Sequence, residues 1–262
     1  MVRVLSALLL IPIVLGVVWF LPPGATTILA AVAAGLAIVE YCALAKALGI
    51  EVQRTIAAVT AIGGCIAVGY GEIPFDGVVL VTLLAAGTAA VAKGQPAPGV
   101  LAAAAATAFG LVYIGVPLGA VASVRTIGGR EAVLLLMATI VVSDSAQYYT
   151  GRAFGRAPLA PSISPKKTRE GAIGGLVFGT AAMIVGGRYV FPASSLAMLA
   201  GTGLVVVLLG IVGDLFESLL KRSAGVKDSS ALIPGHGGIL DRIDSWLFAG
   251  PAYYLFVRYL QT

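Results

Sequence analysis

The sequence predicts an all-α polytopic membrane protein, with about nine transmembrane helices and two long polar loops on the cytoplasmic side. Three observations carry that expectation. Hydrophobic residues make up 59% of the 262 and charged residues 11%, at a mean hydropathy of +1.00; a soluble domain of this size carries about 25% charged residues. Apolar runs repeatedly reach the ~20 residues that a helix needs to cross a bilayer. Stretches such as Leu196 to Gly213 do not alternate, as the ~10-residue strands of a membrane barrel would. Lys and Arg, finally, sort by side once the runs are laid out.

Hydropathy, punctuated by Gly, Pro and charge, predicts helices over residues 4–20, 25–45, 55–71, 76–92, 99–123, 131–150, 171–191, 195–217 and 244–260. The first is read as a retained membrane helix rather than a secretory signal. Only Arg3 precedes it, no small-residue cleavage site follows, and Leu21-Pro22-Pro23 leads into another long apolar run. Of the 17 Lys and Arg residues, 13 fall at the N-terminus or in the loops after helices 2, 4, 6 and 8; Arg125, Arg130, Arg188 and Arg258 lie on the other side. The positive-inside rule assigns the rich side to the cytoplasm, so the N-terminus is expected inside and the C-terminus outside, with the chain integral to the cell (plasma) membrane.

The net charge of +5 follows from this loop asymmetry. The basic residues sit in short loops at membrane edges without interleaved aromatics, which argues against nucleic acid. Anionic lipid headgroups and phosphorylated ligands are the natural partners, beside the bilayer itself. Cys42 and Cys65 lie in apolar segments and are expected to pack as small hydrophobes. Residues 1–125 look like scaffold within a single membrane domain, and 140–250 like its catalytic region. Glu40 stands out in the scaffold. A carboxylate within a span costs about 2.5–3.5 kcal/mol on insertion scales and is a functional candidate by default; alternatively it pairs with Lys46 or a backbone group.

The chemistry concentrates between Asp214 and Asp244. Helix 8 delivers Asp214, Glu217, Ser218 and Lys221 to one face, because spacings of three, four and seven align on a helix. Snorkelling at a helix end accounts for Lys221 and Arg222 but not for Asp214, which follows 25 uncharged residues, Tyr189 to Gly213. Lys227, Asp228 and the run Gly235-His236-Gly237-Gly238 come next, where glycines let backbone N–H groups approach phosphate oxygens. His236 is the single histidine; with no Cys/His cluster beside it, a zinc site is not expected. Asp241 and Asp244 flank Arg242 at the start of helix 9. Acidic residues there can simply complement the helix dipole. Together with Asp214 they make an oxygen-rich site for a hard cation such as Mg²⁺, which binds few carboxylates and keeps substrate phosphates as ligands. The surrounding cations suit phosphoryl chemistry.

The earlier loop, about 151–170, adds a second set. Asp144 precedes it within helix 6, and Ser164-Pro165-Lys166-Lys167-Thr168-Arg169-Glu170-Gly171 closes it ahead of the Gly-rich start of helix 7. Hydroxyls and glycines beside the lysines suit a triphosphate or lipid phosphate; a plain topology determinant is the alternative. Both polar loops are therefore read as active-site loops.

At these residues the chain resembles the phosphatidate cytidylyltransferase (CDP-diacylglycerol synthase) family. The family signature is filled by Ser218, Lys221, Arg222, Lys227, Asp228, Ser230, Ile233, Pro234, His236, Gly237, Gly238, Ile239, Asp241, Arg242, Ile243 and Asp244. Ser164 to Gly171 looks like a second motif, with Arg169 where the family more often has Trp, and Gln147 stands where an aromatic is usual. The resemblance implies a Mg²⁺-dependent reaction of CTP with phosphatidic acid to give CDP-diacylglycerol and pyrophosphate. It leaves open a second cation and a homodimer. It further implies that Asp214 and Asp241 hold the metal, with Asp244 and Asp144 in support. Lys221, Arg222, Lys227 and Arg242 would neutralise phosphates, Ser164, Lys166 and Lys167 would grip one substrate, and His236 would donate to the leaving pyrophosphate. Ser218, Gly237 and Gly238 complete the expected binding set. A CTP-dependent lipid kinase is the enzymatic alternative, and a transporter of phosphorylated lipids the non-enzymatic one. The Asp-Gly-x2-Ala-Arg pattern of CDP-alcohol phosphotransferases is missing, since Asp76-Gly77 continues into Val78-Val79-Leu80-Val81.

Overall fold

A computed structural model describes residues 2–71, 75–92, 94, 96–233, 235 and 237–260. The chain divides into two compact units, Met1–Thr126 with Leu220–Ile243, and Ile127–Leu219 with Asp244–Thr262. Its helices are α1 (Val2–Phe20), α2 (Pro23–Ala47), α3 (Arg54–Tyr70), α4 (Phe75–Ala92), α5 (Val100–Gly110), α6 (Val116–Phe154), α7 (Arg169–Val190), α8 (Leu196–Ser223) and α9 (Leu240–Tyr259), and one π-helical turn (Leu111–Gly115) joins α5 to α6. A two-stranded antiparallel hairpin, β1 (Pro158–Ala160) and β2 (Ser164–Thr168), lies between α6 and α7.

Among the described residues four helices are long and apolar enough to cross a membrane: α2, the run Val100–Phe154, α7 and α8. Leu10–Phe20, α3 and Asp76–Ala92 are shorter apolar helices. All nine segments expected from hydropathy fall in helix, with shifted ends. Helices 5 and 6 are continuous along the chain except at Gly129, whose φ of 81° and ψ of 178° break the helical geometry in a region open to glycine alone. Helix 8 runs on to Ser223 and helix 9 starts at Leu240 instead of 244, so the polar loop between them shortens at both ends. Lys221 and Arg222 complete the last turn of α8, where cations suit the helix dipole.

In the first unit, α3 packs against α2, α4, α5 and the π turn. Small residues let it approach the chain that follows α5. A Cβ at Gly115 would lie 2.5 Å from the Ala61 carbonyl oxygen, and one at Gly119 would lie 2.7 Å from that of Cys65. Small residues four apart on both partners give the backbone-to-backbone packing that helices use in lipid, where burying apolar surface supplies no drive. Cys65 is fully buried there and Cys42 is buried in α2, both as free thiols, as expected of small hydrophobes.

The second unit is organised the same way. Gly171, Gly174, Gly175 and Gly179 of α7 face Ser143, Gln147 and Thr150 of α6, where added Cβ atoms would meet those residues at 2.4–2.9 Å. The glycines at the start of α7 therefore serve helix packing. Thr168 accepts from the Gly171 N–H at 3.1 Å and caps α7. Glu170 accepts from the Arg156 N–H at 3.0 Å and the Ala157 N–H at 3.3 Å, fastening the hairpin base. Between α8 and α9, a Cβ at Gly213 would stand 2.5 Å from the Asp244 carbonyl oxygen.

Candidate active site

The second unit assembles Asp144, Asp214, Asp244 and Lys167. Gly213 lets α8 touch the α9 backbone at Asp244, which sets Asp214, the next residue, beside that turn. The hairpin supplies Lys167. Successive residues on a strand point to opposite faces, and in β2 Lys166 is exposed while Lys167 turns inward to ion-pair with Asp214. Ser218, one turn along α8, donates to the other Asp214 oxygen at 3.4 Å. Asp144 accepts from Gln147 Nε2 at 3.0 Å, and Asp244 from its neighbour's N–H, that of Ser245, at 2.7 Å. Each of Asp144 and Asp244 lies within electrostatic reach of Asp214 and Lys167, and Asp244 within reach of Asp144. Three carboxylates thus face one ammonium.

Among the described residues no three Asp, Glu, His or Cys side chains are set to enclose a metal. The cluster is an anionic basin rather than a finished cage. Its chemistry suits Mg²⁺, which takes one or two protein carboxylates and completes its shell with water and phosphate.

The first unit holds a different arrangement around Asp241. Lys221 Nζ lies 2.5 Å from its Oδ1, in a pair whose side chains are 11% and 6% exposed. Its Oδ2 accepts from the Ser229 N–H at 2.9 Å, the Ser229 hydroxyl at 2.7 Å and the Gly238 N–H at 2.8 Å. Burial pushes the Asp241 carboxyl up, but the Lys221 ammonium and the Gly238 and Ser229 donors outweigh it and hold it below the usual carboxylate range. Both oxygens are engaged by protein donors, so in the observed geometry Asp241 is the anchor of Lys221 and of the Ser229 and Gly238 donors.

The glycine run also differs in detail from a free phosphate cradle. Ile233 N–H donates to the Gly237 carbonyl at 2.8 Å, and Gly237 takes a φ of 81°, which side chains resist. The Gly238 N–H already serves Asp241, and the next two N–H groups serve Glu40: Ile239 at 3.0 Å and Leu240 at 2.8 Å. A Cβ at Gly238 would lie 2.1 Å from Ser229 Oγ and 2.3 Å from Glu40 Oε2. Glycine is required there because two polar side chains fill the space.

Of the other expected site residues, Arg222, Lys227 and Arg242 are exposed; Arg222 donates to the Val226 carbonyl at 3.2 Å. Ser164 is half-buried at the start of β2. His236 and Pro234 lie outside the described residues. Ser229, which touches two carboxylates, was not singled out by sequence; its only signal is the doubled Ser229-Ser230 after Asp228. Glu40 was visible as a carboxylate in an apolar helix, and the expected pairing with a backbone group is observed, at the Ile239 and Leu240 N–H groups; the two serine hydroxyls add to it. It binds Ser229, Ser230 and the start of α9.

Uncharacterized protein YnbB of Escherichia coli (strain K12) is 44% identical over 133 residues, which cover 50% of this chain and 44% of that protein. Phosphatidate cytidylyltransferase 5, chloroplastic, of Arabidopsis thaliana is 48% identical over 130 residues, 50% of this chain and 32% of that protein. The phosphatidate cytidylyltransferase of Haemophilus influenzae is 47% identical over 134 residues, 47% of this chain and 45% of that protein. The matched part is less than half the length of each of these relatives. The model of the cytidylyltransferase family matches residues 1–260, and the chain belongs to that family.

Proposed function

We propose that the chain is a membrane nucleotidyltransferase that converts CTP and phosphatidic acid to CDP-diacylglycerol and pyrophosphate. The observation that carries this reading is the basin of Asp144, Asp214 and Asp244, countered by Lys167 of the Ser164–Gly171 motif. Three carboxylates gathered at one lysine are unfavourable alone and become favourable with a hard cation and a polyphosphate. Relatives named phosphatidate cytidylyltransferase support the choice of substrates.

In the reaction a phosphate oxygen of phosphatidic acid attacks the α-phosphorus of CTP in line. A new P–O bond forms, the bond from the α-phosphorus to the bridging oxygen breaks, and pyrophosphate leaves with that electron pair. The nucleophile is already ionised at neutral pH, so positioning and charge stabilisation dominate over proton transfer. Asp214, Asp244 and Asp144 would hold Mg²⁺, which would supply neutralisation of the polyphosphate. Lys167 and Ser164 bind one substrate, with exposed Lys166 at the rim. Lys221 is aimed by Asp241, and Arg222, Lys227 and Arg242 offer charge to phosphate. His236 donates to the leaving group. The charge asymmetry of the loops supports a cytoplasmic active site in the plasma membrane, where CTP is available.

The test is product analysis with purified protein, phosphatidic acid and CTP labelled in the cytidine or in the γ-phosphate. The expected result is cytidine label in the lipid fraction and γ-label in pyrophosphate. Release of free CDP with γ-label in a lipid overturns the reading in favour of a lipid kinase.

A further inference from the structure

Glu40 is placed in α2, far along the chain from every motif, yet it is buried to 4% exposure and accepts four hydrogen bonds from the segment 229–240. Its Oε1 takes the Ser230 hydroxyl at 2.7 Å and the Ile239 N–H at 3.0 Å. Its Oε2 takes the Ser229 hydroxyl at 2.8 Å and the Leu240 N–H at 2.8 Å. Two of these donors sit at the N-terminus of α9, whose first N–H groups have no partner within the helix. The carboxylate of α2 therefore caps α9 from outside.

The same contacts reach Asp241. Ser229 Oγ lies between the two carboxylates, 2.8 Å from Glu40 Oε2 and 2.7 Å from Asp241 Oδ2, and has one hydrogen to give. Two anions stay at one hydroxyl only where other donors hold each in place. Those donors are the Ile239 and Leu240 N–H groups for Glu40, and Lys221, Gly238 and Ser229 N–H for Asp241. The absence of a Cβ at Gly238 lets them meet. We infer that Glu40 is a positioning residue: it fixes Ser229, Ser230 and the start of α9 and, through them, the orientation of the Asp241–Lys221 pair.

This inference rests on the proposed reaction for its kinetic readout but not for its structural one. Glu40→Gln keeps the shape and replaces one two-pair acceptor with an NH₂ that faces donors; Glu40→Asp keeps the charge with a shorter reach. Buried supporting residues of this kind typically change activity ~10–100-fold. Glu40→Gln is expected to lower kcat within that range with KM for CTP and phosphatidic acid unchanged, and Glu40→Asp to recover part of the loss. Tryptic cleavage at exposed Lys227, measured in parallel, should accelerate in Glu40→Gln under conditions where the rest of the chain stays intact. Ser229→Ala removes the shared hydroxyl, leaves both carboxylates, and serves where Glu40→Gln does not fold; the same two changes are expected in smaller degree. Wild-type kcat per folded molecule together with wild-type protection at Lys227 overturns the inference. Glu40-dependent protection in a protein whose wild type consumes no CTP upholds the positioning role and overturns the proposed reaction instead.

Discussion

Asp241 shows how a single carboxylate is committed by its surroundings. Lys221 and three donors from Ser229 and Gly238 occupy both its oxygens in a nearly closed pocket. Removing one member of a buried pair leaves an uncompensated charge and costs about 3–5 kcal/mol. Lys221→Met is therefore expected to destabilise the detergent-solubilised protein by about 3 kcal/mol, at the low end because three donors remain. Adding Asp241→Asn should cost less than the two single changes together, as read by a double-mutant cycle in chemical unfolding; strict additivity would show that the pair is not coupled. Sequence spacing brought these residue types into view. It did not bring out Glu40's role, because a hydrogen bond across 189 positions leaves no local period to read. What remained visible was the anomaly, a carboxylate in an apolar helix.

The elements are positioned by places where side chains are missing. Gly213 brings α8 onto the Asp244 turn of α9, and an alanine there would place its Cβ 2.5 Å from a backbone oxygen that cannot swing aside. Overpacking of this kind costs about 1–3 kcal/mol. Gly213→Ala is expected to lower both stability and kcat, whereas Gly201→Ala, on the same helix with open space around it, should change neither activity nor folding. Equal behaviour of the two variants in a paired activity and thermal-melt assay would contradict the account. The existence of each helix was legible from hydropathy. The ends were not: Gly129 breaks a run that composition alone divides more widely, and the last turn of α8 tolerates Lys221 and Arg222 because helix termini accept cations. The β1–β2 hairpin was hidden as well, since strands of three and five residues leave too little alternation to register among lysines and prolines.

At the scale of the molecule, the four long apolar helices among the described residues and the family match describe a membrane protein of the cytidylyltransferase family. The sidedness proposed from Lys and Arg has its own test. With Cys42 and Cys65 buried, cysteines at exposed Ser162 in the hairpin turn and exposed Ala193 before α8 report the two faces. Ser162→Cys should react with an impermeant maleimide only from the cytoplasmic side, and Ala193→Cys only from outside; the reverse pattern inverts the topology. The family was legible because charged residues are rare enough in this chain that each one in an apolar setting needs a reason. The partition between the clusters was not, because Asp241 and Asp244 stand three residues apart on one helix yet keep different company. The central claim is that CTP and phosphatidic acid react at the Asp144–Asp214–Asp244 basin. It is tested most directly by pyrophosphate release from CTP and phosphatidic acid with Mg²⁺, for wild type beside Asp214→Asn. The account predicts phosphatidate-dependent release by wild type and a loss of at least ~100-fold in the variant, on the scale of removing a charge-stabilising group from an active site. No release by wild type, or near-full activity in Asp214→Asn, would contradict it.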